Sequence, residues 1–151
     1  MKTEILEPLP VVICVVGERQ YAIPVTEIVE IAALMKITSI PEAPNEMLGV
    51  VNRHGSIVPV IDLRLCFGQN IGALDLSTLF VVVQGPDYAA GLVVDGVRGV
   101  VTLPPGTVGH GGTQSGPYVR GLATYEQMPL LILDITALLK AFDTTSFAIE
   151  E

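Results

Sequence analysis

Apolar residues in this chain come in short, β-branched runs separated by Gly, Pro, Asn and Asp. Residues 11–16 form a continuous apolar run of strand length, suited to a strand covered on both faces. A turn at 17–20 and a second strand at 21–25 follow. The spacing then predicts a short turn at 25–27, a strand from Ile28, another over 36–40, and a single helical turn begun by Asn45. Residues 49–51 and 56–61 read as a hairpin around Asn52-Arg53-His54-Gly55, where Asn tolerates and Gly favours a left-handed backbone. Pro59 cannot donate to a ladder, which predicts an edge or bulged position for that strand. The second half predicts strands at 79–84, 88–95 and 97–103, then a hairpin from 118–124 and 129–133. Asp62 and Asp134 each precede an apolar segment, at 63–67 and 135–142, and read as helix caps. The first ten residues read as a frayed leader and 143–151 as a frayed tail.

The order of events occurs twice. The run ending at Gly17 is echoed by the run ending at Gly85, an offset of 68 (85 minus 17). Tyr21-Ala22 is echoed by Tyr88-Ala89. The capping aspartates lie 72 apart (134 minus 62). About five short strands per copy predict an all-β fold of two similar small barrels, approximately 11–68 and 77–142, with strand exchange between them as an option. Each copy is near the lower size limit for folding alone, so the two should share a hydrophobic interface within one unit spanning 1–151.

Composition supports strands over long helices. Half of the 151 residues are hydrophobic, mean hydropathy is +0.57, Trp is absent, and Gly and Pro number 15 and 11. Formal charge is −8, which repels phosphate backbones and argues against nucleic acid as a partner. No apolar run reaches the ~18 residues of a membrane span, and the first residues carry Glu rather than a signal core. The expected setting is cytoplasmic. Cys14 and Cys66 lie among apolar neighbours without ligand spacing, so they read as core thiols rather than a zinc site.

Catalytic patterns are few. The repeated aspartates Asp62 and Asp134 invite a paired-carboxylate enzyme, but Leu-Arg and Ile-Thr follow them, and capping explains both positions. His54 and His110 stand without a nucleophile elbow, and the Gly-rich loop at 109–117 lacks the Gly-Lys-Ser/Thr ending of a phosphate cradle. The reading is a non-enzymatic binding module with neither cofactor nor metal. Glu30, flanked by Val29 and Ile31, is a candidate to pair with Arg53 or His54 and present both groups to a partner. An unpaired surface Glu and an ordinary solvated turn are the plainer readings. A small-ligand site in the groove between the barrels is the alternative function.

One set of residues goes further. Tyr21-Ala-Ile-Pro-Val-x-x-Ile-Val-Glu-Ile31, Ile40-Pro-x-Ala-Pro44, Gly49-Val-Val-Asn-x-x-Gly55, Pro59-Val-Ile-Asp-Leu-Arg64, Val93-Val-Asp-Gly-Val97, Tyr118-x-x-Gly121 and Leu131-Ile-Leu-Asp134 occur in order across residues 11–142. In that order the chain resembles the chemotaxis coupling protein (CheW-like) family. The resemblance implies two five-stranded SH3-like barrels and an adaptor without enzymatic activity. It implies two partners: the cytoplasmic tip of a chemoreceptor (methyl-accepting chemotaxis protein) and the regulatory domain of the histidine autokinase CheA. Barrel-to-barrel contacts in such proteins build rings, so self-association belongs to the expectation. By position, Ile28, Glu30, Gly49, Asn52, Arg53, His54 and Leu79 fall on or beside the receptor-contacting face. The family usually carries Asn-Leu-Arg-Gly where this chain has Asn52-Arg53-His54-Gly55. Either Arg53 takes over the pairing with Glu30, or an imidazole, which titrates near neutral pH, makes that contact pH-sensitive. The departure also admits a divergent, twitching-type signalling system.

Overall fold

The computed structural model describes residues 7–69, 74, 77–105 and 117–142. Residues 1–6, most of the Gly-rich loop with His110, and the tail from 143 lie outside them. Ten strands run in chain order: β1 Leu9–Val16, β2 Arg19–Pro24, β3 Ile28–Ala33, β4 Met47–Arg53, β5 Ser56–Asp62, β6 Leu79–Gln84, β7 Ala89–Val94, β8 Gly96–Leu103, β9 Val119–Tyr125 and β10 Met128–Leu133. Two short helices follow capping aspartates, α1 Leu63–Cys66 and α2 Ile135–Ala141, and a 3-10 turn covers Val25–Glu27. Neither helix is long and apolar enough to cross a membrane.

The strands form two five-stranded sheets, ordered β8-β1-β2-β10-β9 and β3-β6-β7-β5-β4. Each is the strand set of one small SH3-like barrel. The second barrel is contiguous in sequence. The first takes its opening hairpin, β1–β2, from the start of the chain and its other three strands from the end. A parallel pair sits inside each barrel, β2 beside β10 and β5 beside β7.

Register refines the repeat. Ala22 lies between Ile13 and Ile132, and Gly91 lies between Val82 and Val60. The offset through the first three strands of each copy is therefore 69 (91 minus 22), not 68, and Tyr21 corresponds to Ala90 rather than to Tyr88. The offset of 72 holds from the fourth strand to the capping aspartates. Gly49 and Gly121 sit at the same bulge, and the Asp62 and Asp134 amides donate to Glu46 and Tyr118 carbonyls, both at 2.8 Å. The Asn52–Gly55 turn does have a backbone echo: His54 and Gly55 have φ of 51° and 86°, and Glu126 and Gln127 have 50° and 66°. Two-residue turns with both positions left-handed match the twist of a hairpin.

Four local expectations change. The predicted strand at 36–40 reduces to a single bridge, Thr38 to Val50. Asn45 begins no helical turn; the Met47 amide donates to the Pro44 carbonyl and the chain enters β4 directly. Leu9 and Pro10, read as leader, belong to β1. Pro59 is neither at an edge nor at a bulge, since β5 lies between β7 and β4. It is tolerated because it faces Val50, whose own N–H and C=O bond Thr38. Pairs opposite one another in an antiparallel ladder alternate between bonded and non-bonded, and this one is non-bonded. Pairing with β7 begins only at Val60.

Packing divides into three clusters. The largest joins both barrels, with Val12, Cys14, Tyr21, Ile23, Ile61, Leu63, Val81, Val83, Leu92, Leu133, Leu138 and Phe142 all buried. Smaller clusters fill the barrels themselves, around Ile13, Ala22 and Ile132 in the first and around Val60, Phe80 and Val93 in the second. Tyr21 stacks on Phe67 at 4.4 Å between ring centroids, and Tyr118 meets Phe67 edge-on. Cys14 is buried and Cys66 half-buried, and burial pushes both thiols up to about 12.

An ion network holds the junction. Arg64 is buried and donates from Nε and Nη2 to both oxygens of Asp62 at 2.9 Å. Its Nη1 lies 3.5 Å from Asp95, which in turn accepts the Gly17 amide at 2.7 Å. Asp95 stands at the step from β7 in one barrel to β8 in the other, and Gly17 in the first hairpin, so one guanidinium links both barrels. Removing one partner of a buried pair strands the other charge. Arg64→Ala should therefore cost about 3 kcal/mol or more in denaturant unfolding, and Asp95→Asn clearly less. Gly49→Ala should cost about 2 kcal/mol or more. Gly49 has φ 148°, and a Cβ there would lie 2.2 Å from the Thr38 carbonyl oxygen.

Candidate functional site

The Arg53-His54 hairpin tip meets β3 across the seam of the second barrel. β3 and β4 are the two edge strands of that sheet, so contact between them closes the barrel. The closing contact is ionic. Arg53 Nη2 donates to Glu30 Oε2 at 2.6 Å, while His54 Nε2 stands 3.6 Å from the same oxygen. Arg53, not His54, is the hydrogen-bonding partner of Glu30. The hydrogen bond from Arg53, followed by the charges of Arg53 and His54, holds the Glu30 carboxyl below its ordinary value. The imidazole is 76% exposed, so it projects to solvent from the tip while Arg53 lies folded against the seam at 19%.

Local sequence explains this arrangement. A two-residue turn puts residues 54 and 55 at the tip and leaves Asn52 and Arg53 extended in β4. Asn52 contributes through its side chain: Oδ1 accepts the Gly55 amide at 2.9 Å and pins the turn. Side chains alternate across a strand, so moving a cation by one position changes the face it occupies. Arg53 falls on the seam, and the residue after it leaves the strand altogether.

The other expected residues are less closely grouped. Gly49 lies at the β4 bulge, packed under the Thr38 backbone, and is a structural requirement of the bulge. Ile28 and Leu79 are half-buried at the margin of the central cluster. Ile28 pairs with Val83 and Ala33 with Leu79, so the two sit at opposite ends of the β3–β6 ladder. Leu79 and Val83 are four strand positions apart, about 13 Å. Two residues not singled out as contacts lie next to Glu30 on β3 and, by alternation, turn to the other face of the strand. Val29 is 46% exposed and Ile31 40%, flanking Glu30 on the edge strand. The available signal was a carboxylate between β-branched residues in a strand with a free edge.

Asp62 and Asp134 serve their own helices. Asp62 Oδ1 accepts the Arg64 amide at 3.0 Å, and Asp134 Oδ1 accepts the Ala137 amide at 3.0 Å. Asp62 also spends both oxygens on the Arg64 guanidinium. Each carboxylate thus faces N–H donors, the opposite of two carboxylates sharing a proton. Among the described residues no cluster of three or more His, Cys, Asp or Glu is placed to hold a metal. Cavities of about 280 and 240 Å³ open on the first barrel, and neither is lined by Glu30, Arg53 or His54.

Comparison with known proteins agrees with the two-barrel fold. Residues 10–143 match the CheW-like domain. The chain is 40% identical over 81 residues to the chemotaxis protein CheW of Helicobacter pylori, covering 54% of this chain and 49% of that protein. It is 32% identical over 129 residues to CheW of Klebsiella aerogenes, covering 83% and 78% respectively. The scaffolding protein TtCheW from Thermoanaerobacter tengcongensis superposes with a TM-score of 0.82 at 26% identity, over 88% of this chain and 93% of that one. Two five-stranded barrels, the motif series and a match across nearly the whole chain lead to one conclusion: this chain belongs to the CheW-like family.

Proposed function

We propose that the chain is a non-enzymatic adaptor that couples a chemoreceptor to a histidine autokinase in chemotaxis-type signalling, acting in the cytoplasm. The family and its scaffold members support the adaptor class. The receptor tip docks on the second barrel's seam, with Glu30, Arg53 and His54 at its centre, Ile28, Asn52 and Leu79 around them, and Gly49 shaping the backbone beneath. The kinase regulatory domain is the second partner, and contacts between barrels allow ring-like self-association.

The observation that carries this reading is the edge of β3. Val29 and Ile31 expose apolar surface on one side of this edge strand, and Glu30, its orientation fixed by Arg53, presents a carboxylate on the other. A receptor that grips this edge meets both, so that burial supplies affinity and the preset charge sets register. A second system remains open on a specific observation. The chain is 31% identical over 90 residues to FrzA of Myxococcus xanthus and 31% over 91 residues to PilI of Pseudomonas aeruginosa. The same docking face would serve a receptor of such a divergent pathway.

Glu30→Lys places two cations against each other at the seam. It should weaken binding to a soluble receptor-tip fragment by about tenfold or more, read by calorimetry, with the circular dichroism spectrum unchanged. Exchanging the pair, Glu30→Arg with Arg53→Glu, should restore the ion pair at the seam without full receptor affinity. Unchanged affinity in Glu30→Lys would move the receptor to another face. For pH, the Glu30 carboxyl should titrate below the ordinary value of about 4.3 in carbon-detected NMR, and Arg53→Gln should raise it. A depressed carboxylate stabilises the folded form above the ordinary value, and that contribution is lost as pH falls through the folded one. Coupling through Glu30 should accordingly stay level at neutral pH and fall away only in acid.

A further inference from the structure

The repeat offers a direct comparison between the two barrel seams. In the second barrel, Glu30 on edge strand β3 pairs in register with Val82; in the first, Gly99 on edge strand β8 pairs with Ile13. Val82 and Ile13 are counterparts at the offset of 69 (82 minus 13), so Gly99 stands where Glu30 stands. On the hairpins, at the offset of 72, Tyr125 stands for Arg53 and Glu126 for His54. The seam that is closed by a carboxylate and a guanidinium in one barrel therefore has no side chain on its strand and an acid on its turn in the other.

The result is an open site. A cavity of about 280 Å³ lies at this seam, lined by Ile13, Arg98, Gly99, Val100, Tyr125 and Glu126. A Cβ added at Gly99 would meet nothing within 4 Å, although φ of 131° makes the position unfavourable for other residues. Arg98 is tied back, its Nη1 donating to Gln20 Oε1 at 2.6 Å. Glu126 has no ion-pair partner among the described residues.

We propose that this seam takes a basic side chain, best an arginine, presented by a partner polypeptide. The guanidinium pairs with the Glu126 carboxylate and lies against the Tyr125 ring, completing from outside the cross-seam pair that the second barrel completes from within. Its methylene stem lies over Val100, which is 65% exposed. The chain's charge of −8 draws cationic segments toward it. Arg98, fixed to Gln20, keeps the incoming charge at the mouth beside Glu126. The site is separate from the receptor face and does not depend on that assignment.

The test is an amide NMR titration of the full chain with three blocked tripeptides, Gly-Arg-Gly, Gly-Gln-Gly and Gly-Glu-Gly. The arginine peptide should move the amides of Gly99, Tyr125 and Glu126, and the other two should leave them in place. Glu126→Gln should lower the arginine peptide's apparent affinity about threefold or more. Glu126→Lys should transfer the response to the glutamate peptide. Equal shifts in the wild type and Glu126→Gln would overturn the proposal. So would tighter binding of the glutamate peptide to the wild type, which would make Arg98 the operative charge, or no movement of these amides at the highest peptide concentration.

Discussion

A guanidinium almost without solvent must find its counter-charges inside the protein, and Arg64 finds them on both sides of the barrel junction. Asp62 binds it in a two-pronged pair, and Asp95 reaches it from the crossing between barrels while holding the Gly17 turn. Around this polar point the central cluster is apolar, and it draws buried side chains from β1, β2, β4, β5, β6, β7, β10 and both helices. Hydrophobic burial there supplies most of the favourable energy but little direction. The ion network supplies direction, because charges out of water tolerate few alternative partners. Two barrels joined by grease alone would have many acceptable angles; joined through Arg64 they have a preferred one. That matters for a protein whose proposed work is to present surfaces to two partners at once.

The same chemistry appears at the barrel seams with a different outcome. Glu30 and Arg53 face each other between edge strands, partly exposed, where an ion pair contributes little to stability but fixes where a charge points. The first barrel never received the equivalent pair. The repeat thus pairs one self-satisfied seam with another that carries an acid and no side chain opposite it. Matching strand orders with unlike seams allow a pseudo-symmetric molecule to distinguish its two ends.

Much of the fold was legible because it rests on short-range rules. Val25-Thr-Glu27 followed by Ile28 reads as a turn and then a strand, and so it is. The capping aspartates announce both helices. What local pattern could not deliver was pairing. Pro59 argues for an edge strand on intrinsic chemistry, yet it sits centrally because the ladder alternates and the neighbouring parallel strand starts one residue later. The offset of 68 followed a glycine match, whereas burial follows side-chain alternation, and a slip of one residue exchanges inside for outside. The site was legible in part. Glu30 and the turn could be nominated from residue type, but the choice of Arg53 over His54 depends on which residue a two-residue turn leaves in the strand. Val29 and Ile31 were hidden because an exposed apolar residue looks like a core residue until the strand is known to be an edge.

Strand exchange also sets an order of events on the ribosome. The second barrel is continuous from Ile28 to Val94 and has all five strands once β7 emerges. The first hairpin, made earlier, has only its own two strands until Gly96 begins β8, 72 residues after Pro24 (96 minus 24). At about 5–20 residues per second that is a wait of about 4–14 s. During it, β1 and β2 carry Val11, Val12, Ile13, Ala22 and Ile23, all buried in the finished protein. The central cluster shelters one face of that hairpin, since Val12 and Ile23 belong to it, while Val11, Ile13 and Ala22 wait for the first barrel's own core. β1 and β2 thus emerge before the second barrel but can complete their own sheet only after it.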